Sequence, residues 1–381
     1  MNSVYFDHNA TTALNSYVLE RMLPWLQIQT GNPTSRHING RSARDAIEFA
    51  RRQVAEACGA YPSQVIFTSC GTEANNLAVK GIVANRPNMQ ILTSAIEHPC
   101  VTQPALSMEA LGSVSRQIGV DANGKLDLVA LKEKLKIQTS LVSVMLANNE
   151  TGVIQDIAKV AELARANAAM THTDAVQALG KIDLNFSDLN VHAMTISSHK
   201  IHGPQGAAAL ILDKRVDIQP LLHGGGQERG LRSGTENIAA IVGFGAACEL
   251  AVANRQNFAS HTLQLREQLE SGLAQLKVTI FGRDTARLSN TSFFAVDGID
   301  GETLVMALDR KNFSVASGSA CSSDSNNPSH VLLAMGVDPD KARGAVRLSL
   351  GIKNTVAEVA NFLDILHHEI LRLKQLTAMA A

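Results

Sequence analysis

Short apolar runs rich in β-branched residues alternate with segments of helical period along most of this chain. The runs are Val65-Ile66-Phe67-Thr68, Ile91-Leu92-Thr93, Leu141 to Leu146, Ala193 to Ser197 and Ala207 to Leu212, and a short strand after Met170 closes at Asp174. Between two of them, Ile157, Val160, Ala161 and Ala164 recur at the spacing of one helix face. That alternation predicts an α/β fold, a mostly parallel sheet covered by helices. Ligands in such sheets sit beyond the carboxyl ends of the strands, so chemistry is sought there.

The pattern changes after Glu236. From there to Phe281 no proline occurs, and the segment reads as one long helix leaving the first domain, with Asn254 as the place for a break. Shorter runs at Val278 to Phe281, Thr291 to Val296 and Val346 to Leu350 then predict a smaller α+β domain. The last helix spaces Val356, Val359, Leu363, Leu366, Ile370 and Leu373 three and four apart, an apolar stripe to lay on that domain. One segment fits neither pattern. Residues 317–328, Ser-Gly-Ser-Ala-Cys-Ser-Ser-Asp-Ser-Asn-Asn-Pro, are small, polar turn formers and predict a mobile surface loop, with the Cys321 thiol as its reactive group.

Length and charge narrow the function. At 381 residues the chain can bury a large core and form two domains. With 34 basic against 35 acidic residues there is no field to attract nucleic acid or an anionic membrane, so a small substrate is expected. Five scattered cysteines, at 58, 70, 100, 248 and 321, make neither a disulfide framework nor a metal-ligand spacing. No metal site is expected, and a reducing compartment is. No stretch approaches eighteen uninterrupted apolar residues, and Met1 to Tyr5 does not begin a basic-then-apolar leader, so a soluble, cytoplasmic protein is expected.

The candidate chemistry lies at strand ends. Lys200, in Ser197-Ser198-His199-Lys200, follows one apolar run, and Asp174 closes another. An amine and an acid so placed suit an aldehyde cofactor with a pyridine ring, the lysine forming a Schiff base and the aspartate holding the ring's proton. A buried carboxylate needs such a partner. Gln177, three residues on, could bond the ring's oxygen substituent, and Ser197 and His199 offer donors to a phosphate. Gly71 and Thr72 open a helical run after a strand, where free N-H groups favour an anion, although Thr72 also suits an ordinary N-cap. His98 lies just past a strand, able to stack on a ring and move protons, or to be a hydrogen-bonded loop residue. Asn149, in Asn148-Asn149-Glu150-Thr151-Gly152, could donate to a phenolic oxygen or make an Asx turn. Residues 224–237 combine glycines, Arg229, Arg232 and a capping Thr235, and read as an anion-binding loop or a long connection. Arg347, between apolar neighbours, suits a substrate carboxylate, or faces solvent from its strand.

Together these segments resemble the cysteine desulfurases, pyridoxal-phosphate enzymes of the class-V aminotransferase type. The resemblance is carried by Tyr5-Phe6-Asp7-His8-Asn9-Ala10-Thr11-Thr12, Gly31-Asn32-Pro33-Thr34-Ser35-Arg36-His37, Glu97-His98, residues 148–152, Ser197-Ser198-His199-Lys200, residues 232–237, Ser317-Gly318-Ser319-Ala320-Cys321 and Arg347, in the family's order. The long loop around Cys321 is similar to that of the NifS and IscS branch, which delivers sulfur to proteins.

The resemblance implies a fold-type I pyridoxal-phosphate transferase. Its large domain, 15–257, would hold a seven-stranded sheet; its small domain, 1–14 and 258–381, would carry the cysteine loop. It implies that Lys200 binds the cofactor, Asp174 pairs with the ring nitrogen, Gln177 and Asn149 contact the ring oxygen, and His98 stacks on the ring. Thr72, Ser197 and His199 would hold the phosphate with the Gly71 and Thr72 backbone, and Thr235 would reach in from a second subunit of a homodimer. Arg347 and Asn149 would take the carboxylate of L-cysteine. Cys321 would accept the sulfur as a persulfide and pass it to an acceptor such as an iron-sulfur scaffold protein, with transient cluster ligation as a further role. An aminotransferase or a selenocysteine lyase would share Lys200 and Asp174, and a non-catalytic sulfur-relay protein would need neither. Two departures from the family pattern stand out. Cys70 occupies a position where glycine is common and is expected to be a buried small side chain. The chain stops at Ala381 without the longer C-terminal tail of housekeeping members, which leaves the acceptor open.

Overall fold

The computed structural model describes residues 3–318 and 327–380, the last four as backbone. Cys321 and most of the 317–328 segment lie outside the described residues. The N-terminal strand β1 (Val4–Tyr5) precedes the strands of the main sheet: β2 (Val65–Thr68), β3 (Gln90–Ser94), β4 (Val114–Ile118), β5 (Thr139–Ser143), β6 (Met170–Asp174), β7 (Ala193–Ser197) and β8 (Ala208–Leu212). Their spatial order is β2-β8-β7-β6-β5-β3-β4. β8 runs antiparallel to both of its neighbours and every other pairing is parallel.

Both faces of this sheet are covered, which is why its strands read as near-continuous apolar runs. Val65 and Phe67 of β2 and Ala209 and Ile211 of β8 pack with the helices Ile38–Ala57 and Ile238–Gln275. Ile66, Leu210 and Leu212 point the other way, onto the helix Gly71–Ala84. β4 is the exception: at the sheet edge and mostly exposed, it has no apolar run and gives no sequence signal.

The long helix is continuous over 38 residues from Ile238 to Gln275. It does not break at Asn254, whose side-chain amide bonds back to the Leu250 carbonyl at 2.8 Å and fits within the helix. The helix is long and apolar enough by composition alone to cross a membrane, yet half of its most apolar window is buried inside the protein. Phe244, Ala247 and Cys248 sit in the first core, while Leu265, Leu269 and Leu273 enter a second.

That second core is built around the antiparallel sheet β12-β13-β10-β9, made of β9 (Thr279–Ile280), β10 (Thr291–Ala295), β12 (Ala316–Ser317) and β13 (Ala345–Ser349). β1 pairs in parallel with β11 (Phe313–Ser314), so the N-terminal segment joins the second core through Phe6. The last helix, Val356–Ala380, buries Val359, Phe362, Leu366 and Ile370, whereas Val356 is 52 % exposed. The stripe is therefore rotated from the one read in the sequence, with aromatic Phe362 filling the core beside Phe6 and Phe313.

Candidate active site

The carboxyl ends of β2, β6 and β7 and the loops after β3 and β5 surround one cavity of about 330 Å³. Gly71, Thr72, His98, Asn149, Asp174, Gln177, Ser197, His199, Lys200 and Arg347 all line it, although they come from segments far apart in the sequence. Thr235 does not: it is exposed on the coil before the long helix.

Register explains the acid and the hydroxyl. Asp174 pairs with Thr195, and two residues further along β7 comes Ser197 on the same pleat face. Asp174 is buried, accepting from the Val176 backbone N-H at 2.9 Å and from Asn75 Nδ2 at 2.8 Å. Ser197 Oγ is buried and has no hydrogen-bond partner. A side-chain carbon placed on Gly71 would lie 3.8 Å from Ser197 Cβ, so this hydroxyl adjoins the first turn of the helix Gly71–Ala84. A buried polar atom without a partner is costly, and beside a helix N-terminus an anion is the fitting partner.

Lys200 ends a single 3-10 turn, Ser198–Lys200, which swings it from β7 over the cavity. Its Nζ donates to the carbonyls of Asn9 at 2.6 Å and Ala10 at 2.5 Å. His199 Nδ1 lies 3.1 Å from Thr11 Oγ1, and burial together with the Lys200 charge lowers its pKa to about 4, so it stays a neutral hydrogen-bonding group.

Several open alternatives resolve. Cys70 is exposed and is the N-cap of the Gly71–Ala84 helix, which corrects both the buried reading of Cys70 and the capping role of Thr72. The chain leaves the sheet at Cys70 in extended conformation, so its side chain faces the cavity rather than the core. The Asx turn belongs to Asn148, whose Oδ1 accepts from the N-H groups of Glu150 and Thr151 at 2.9 Å, leaving Asn149 at the cavity. The turn former and the site residue are thus adjacent and distinct.

Arg347 is 3 % exposed, which removes the solvent-facing alternative. It bonds Asp7 Oδ1 at 2.6 Å and the Asn149 carbonyl at 3.0 Å. The 224–237 segment is a connection: Arg229 bonds the Val65 carbonyl, Arg232 pairs with Glu73, and Glu228 forms a buried bidentate pair with Arg51 at 2.7 Å. Both of its arginines are thus engaged within the protein. The helix cap there is Asn237, not Thr235.

Sequence reasoning missed Asn9, Asn75, Cys100 and Lys181. Asn9 Oδ1 and Gln177 Oε1 accept from the buried Lys181 amine at 2.9 and 2.8 Å, while Gln177 Nε2 donates to the Asn9 carbonyl. Burial and the nearby Lys200 and Arg347 charges hold Lys181 well below the usual lysine range. The Gln177 amide is therefore oriented from behind by a hub that also ties in Thr291 and Asn290 of the second core. Asn75 carried a signal, being a polar residue on the apolar face of its helix.

Comparison with known proteins places the chain in a family. The aminotransferase class-V family model matches residues 4–362. The chain is 42 % identical over 386 aligned residues to a cysteine desulfurase of Cereibacter sphaeroides, covering all of this chain and 99 % of that protein. It is 40 % identical to the cysteine desulfurase IscS of Methanosarcina thermophila, over 99 % of this chain and 94 % of that one. Among solved structures, a NifS-like protein superposes with a TM-score of 0.91 at 39 % identity, covering 97 % of this chain and all of the other. SspA in complex with cysteine gives 0.81 at 33 % identity, over 93 % of this chain and all of that one. The protein is a member of the class-V aminotransferases, with the fold-type I architecture of pyridoxal-phosphate enzymes. Within that class it belongs to the cysteine desulfurases.

Proposed function

We propose that the cavity binds pyridoxal phosphate and L-cysteine, and that the protein converts the cysteine to alanine while its sulfur passes to Cys321. The observation that carries this reading is the convergence of an orphaned buried hydroxyl, a buried carboxylate and a tethering amine, Ser197, Asp174 and Lys200, on one cavity. The donor set fits the cofactor. Ser197, His199, Thr72 and the first N-H groups after Cys70 would hold the phosphate, Asp174 the ring nitrogen, Asn149 and Gln177 the ring oxygen, and Lys200 the aldehyde carbon. When bound, the cofactor supplies an electron-withdrawing ring that spreads the charge left at the substrate's α-carbon.

The protein's own groups do the rest. Asp174, fixed by Asn75 and the Val176 N-H, keeps a proton on the ring nitrogen. Lys200, once displaced by the substrate amine, carries the α-proton. Arg347 and Asn149 orient the substrate carboxylate; the arginine is already paired with Asp7, so it binds a second carboxylate by sharing rather than as a free cation. The Cys321 thiolate forms an S-S bond with the substrate sulfur as the Cβ-S bond breaks, the electron pair staying with carbon, which is protonated to alanine. Sulfur leaves as a persulfide on Cys321 and no external oxidant is consumed.

Thr235 lies away from this chain's cavity on an exposed coil, which supports a homodimer in which each Thr235 serves the partner's phosphate. In this reading the enzyme works in the cytoplasm without nucleic acid or membrane, and a protein such as an iron-sulfur scaffold collects the sulfur, with transient cluster ligation by Cys321 as a further role of the same loop. In this reading residues 15–257 form the large domain and 1–14 with 258–381 the small one, a division supported by the separation of the cluster holding Phe244 and Cys248 from the one holding Phe6, Leu265 and Phe362. Incubation with L-cysteine, with alanine and sulfide measured with and without a thiol reductant, tests the reaction. Equimolar alanine and reductant-released sulfide are expected. Keto-acid-dependent turnover without sulfide would replace the reading with a transaminase.

A further inference from the structure

Cys100 stands inside the cavity, on a side no role above uses. It is the second residue of the helix Pro99–Ser107, whose N-cap is His98. His98 Nδ1 accepts the Cys100 backbone N-H at 3.2 Å, and the Cys100 Sγ lies 2.9 Å from the same nitrogen. A backbone N-H can only donate, so Nδ1 presents a lone pair. The thiol between them must then donate to Nδ1, and it receives Asn75 Nδ2 at 2.9 Å. The same Asn75 nitrogen reaches Asp174 Oδ2 at 2.8 Å. One amide thus links the carboxylate under the cavity to the thiol beside the histidine.

We propose that Cys100 is a positioning residue: its S-H bond to Nδ1, added to that of its own backbone N-H, holds His98 in the neutral Nε2-H form, so that the imidazole presents a donor, and no basic lone pair, to what occupies the cavity. The inference rests on the reading of the cavity as the cofactor and substrate site. It assigns proton abstraction to Lys200 and leaves His98 to stack and donate. Charge favours the neutral pair over a thiolate with an imidazolium. Burial lowers the His98 pKa, Asp174 opposes that, and Lys200 and His330 reinforce it. Burial pushes the Cys100 thiol up, and Asp174 and Glu97 add to the rise.

The test uses holoenzyme in two measurements. Nitrogen-15 spectra of wild-type protein labelled at histidine should show His98 with Nδ1 bare and Nε2 protonated; a proton on Nδ1 at neutral pH overturns the proposal without any variant. In Cys100→Ala one donor to the neutral imidazole is lost, so His98 becomes easier to protonate. The acid limb of the kcat profile should move to higher pH and kcat at neutral pH should fall about five-fold, the equivalent of one neutral hydrogen bond. The KM for L-cysteine and the bound-cofactor absorbance should hold, and Cys100→Ser, which restores a donor, should recover most of the loss. An unmoved limb with unchanged kcat in the alanine variant overturns the proposal. Wild-type protein that releases no alanine would instead refute the functional reading beneath it.

Discussion

Replacing Asp174 by asparagine removes one charge while keeping the shape, and the two hydrogen bonds to this side chain determine the outcome. Asp174 accepts on both oxygens, from Val176 N-H on Oδ1 and from Asn75 Nδ2 on Oδ2. An asparagine has one acceptor, so one contact becomes donor against donor. The Val176 bond is backbone and fixed, so the conflict falls on Asn75. Its Oδ1 is buried without a partner, and turning the amide over would put that oxygen toward the new Nδ2. The fold can therefore absorb the change, at a cost of about 1 kcal/mol for the disturbed hydrogen bonds. Cofactor binding cannot, because the ring nitrogen then faces a neutral group.

A charge-assisted hydrogen bond contributes about 1.5–3 kcal/mol, which is roughly 10- to 150-fold in affinity. The expected outcome for Asp174→Asn is a folded protein whose pyridoxal phosphate dissociation constant rises by that factor. Alanine formation at saturating cofactor should fall further, by about 100-fold or more, because the unprotonated ring is a poorer electron sink. Absorbance titration with the cofactor and alanine assay measure the two effects separately. Affinity and rate both within about two-fold of wild type would refute the assignment of Asp174, since even the weakest charge-assisted bond is worth more than that.

Lys200→Ala should lose the long-wavelength absorbance of bound cofactor and all turnover; a variant that keeps the band refutes the tether. Cys321→Ser should hold cofactor normally yet form no persulfide, and labelled sulfur trapped instead on Cys58, Cys70, Cys100 or Cys248 would overturn its role as acceptor. Glu228→Ala removes the buried bidentate partner of Arg51 and leaves its guanidinium only the more exposed Glu48 carboxylate and the Val65 carbonyl, so it should destabilise by about 3 kcal/mol in urea unfolding, against under about 1 kcal/mol if Glu48 alone compensates the charge. Glu97 is raised from 4.5 to about 8, chiefly by burial, so the folded protein keeps a proton that the unfolded chain releases. Stability from this group is complete below pH ~4.5 and falls as pH rises toward 8, by roughly 5 kcal/mol at most. Glu97→Gln should flatten that slope, and an unchanged slope would show that Glu97 is ionised in the fold.

What the chain disclosed by itself obeys a physical division. Strands covered on both faces, such as β7 and β8, are largely apolar and announce themselves, and Ser197 and Lys200 stand out because they follow such a run at its end, whereas buried β6 is mostly polar and Asp174 is marked by its place at a strand end. The edge strand β4, half-solvated and polar, carries no such contrast. Among site residues, those legible were the ones that violate a local rule. The illegible ones are supports that obey it. Cys100 is an ordinary residue of a helix first turn, and Lys181 sits where a surface lysine is the usual expectation. Their meaning comes from partners 25 to 172 residues away, Asn75 for the thiol and Asn9 for the amine. Composition could not foretell that the segment holding Cys70 would turn its side chain toward the cavity either, since that depends on where β2 ends against β8. The same reasoning favours looking for the chemistry peculiar to this chain behind the named motifs rather than in them. The amide of Asn75 touches both the carboxylate and the thiol, so a change at Asn75, or the turning of its amide in Asp174→Asn, should disturb the ring clamp and the histidine together, where a change at Cys100 disturbs the histidine alone.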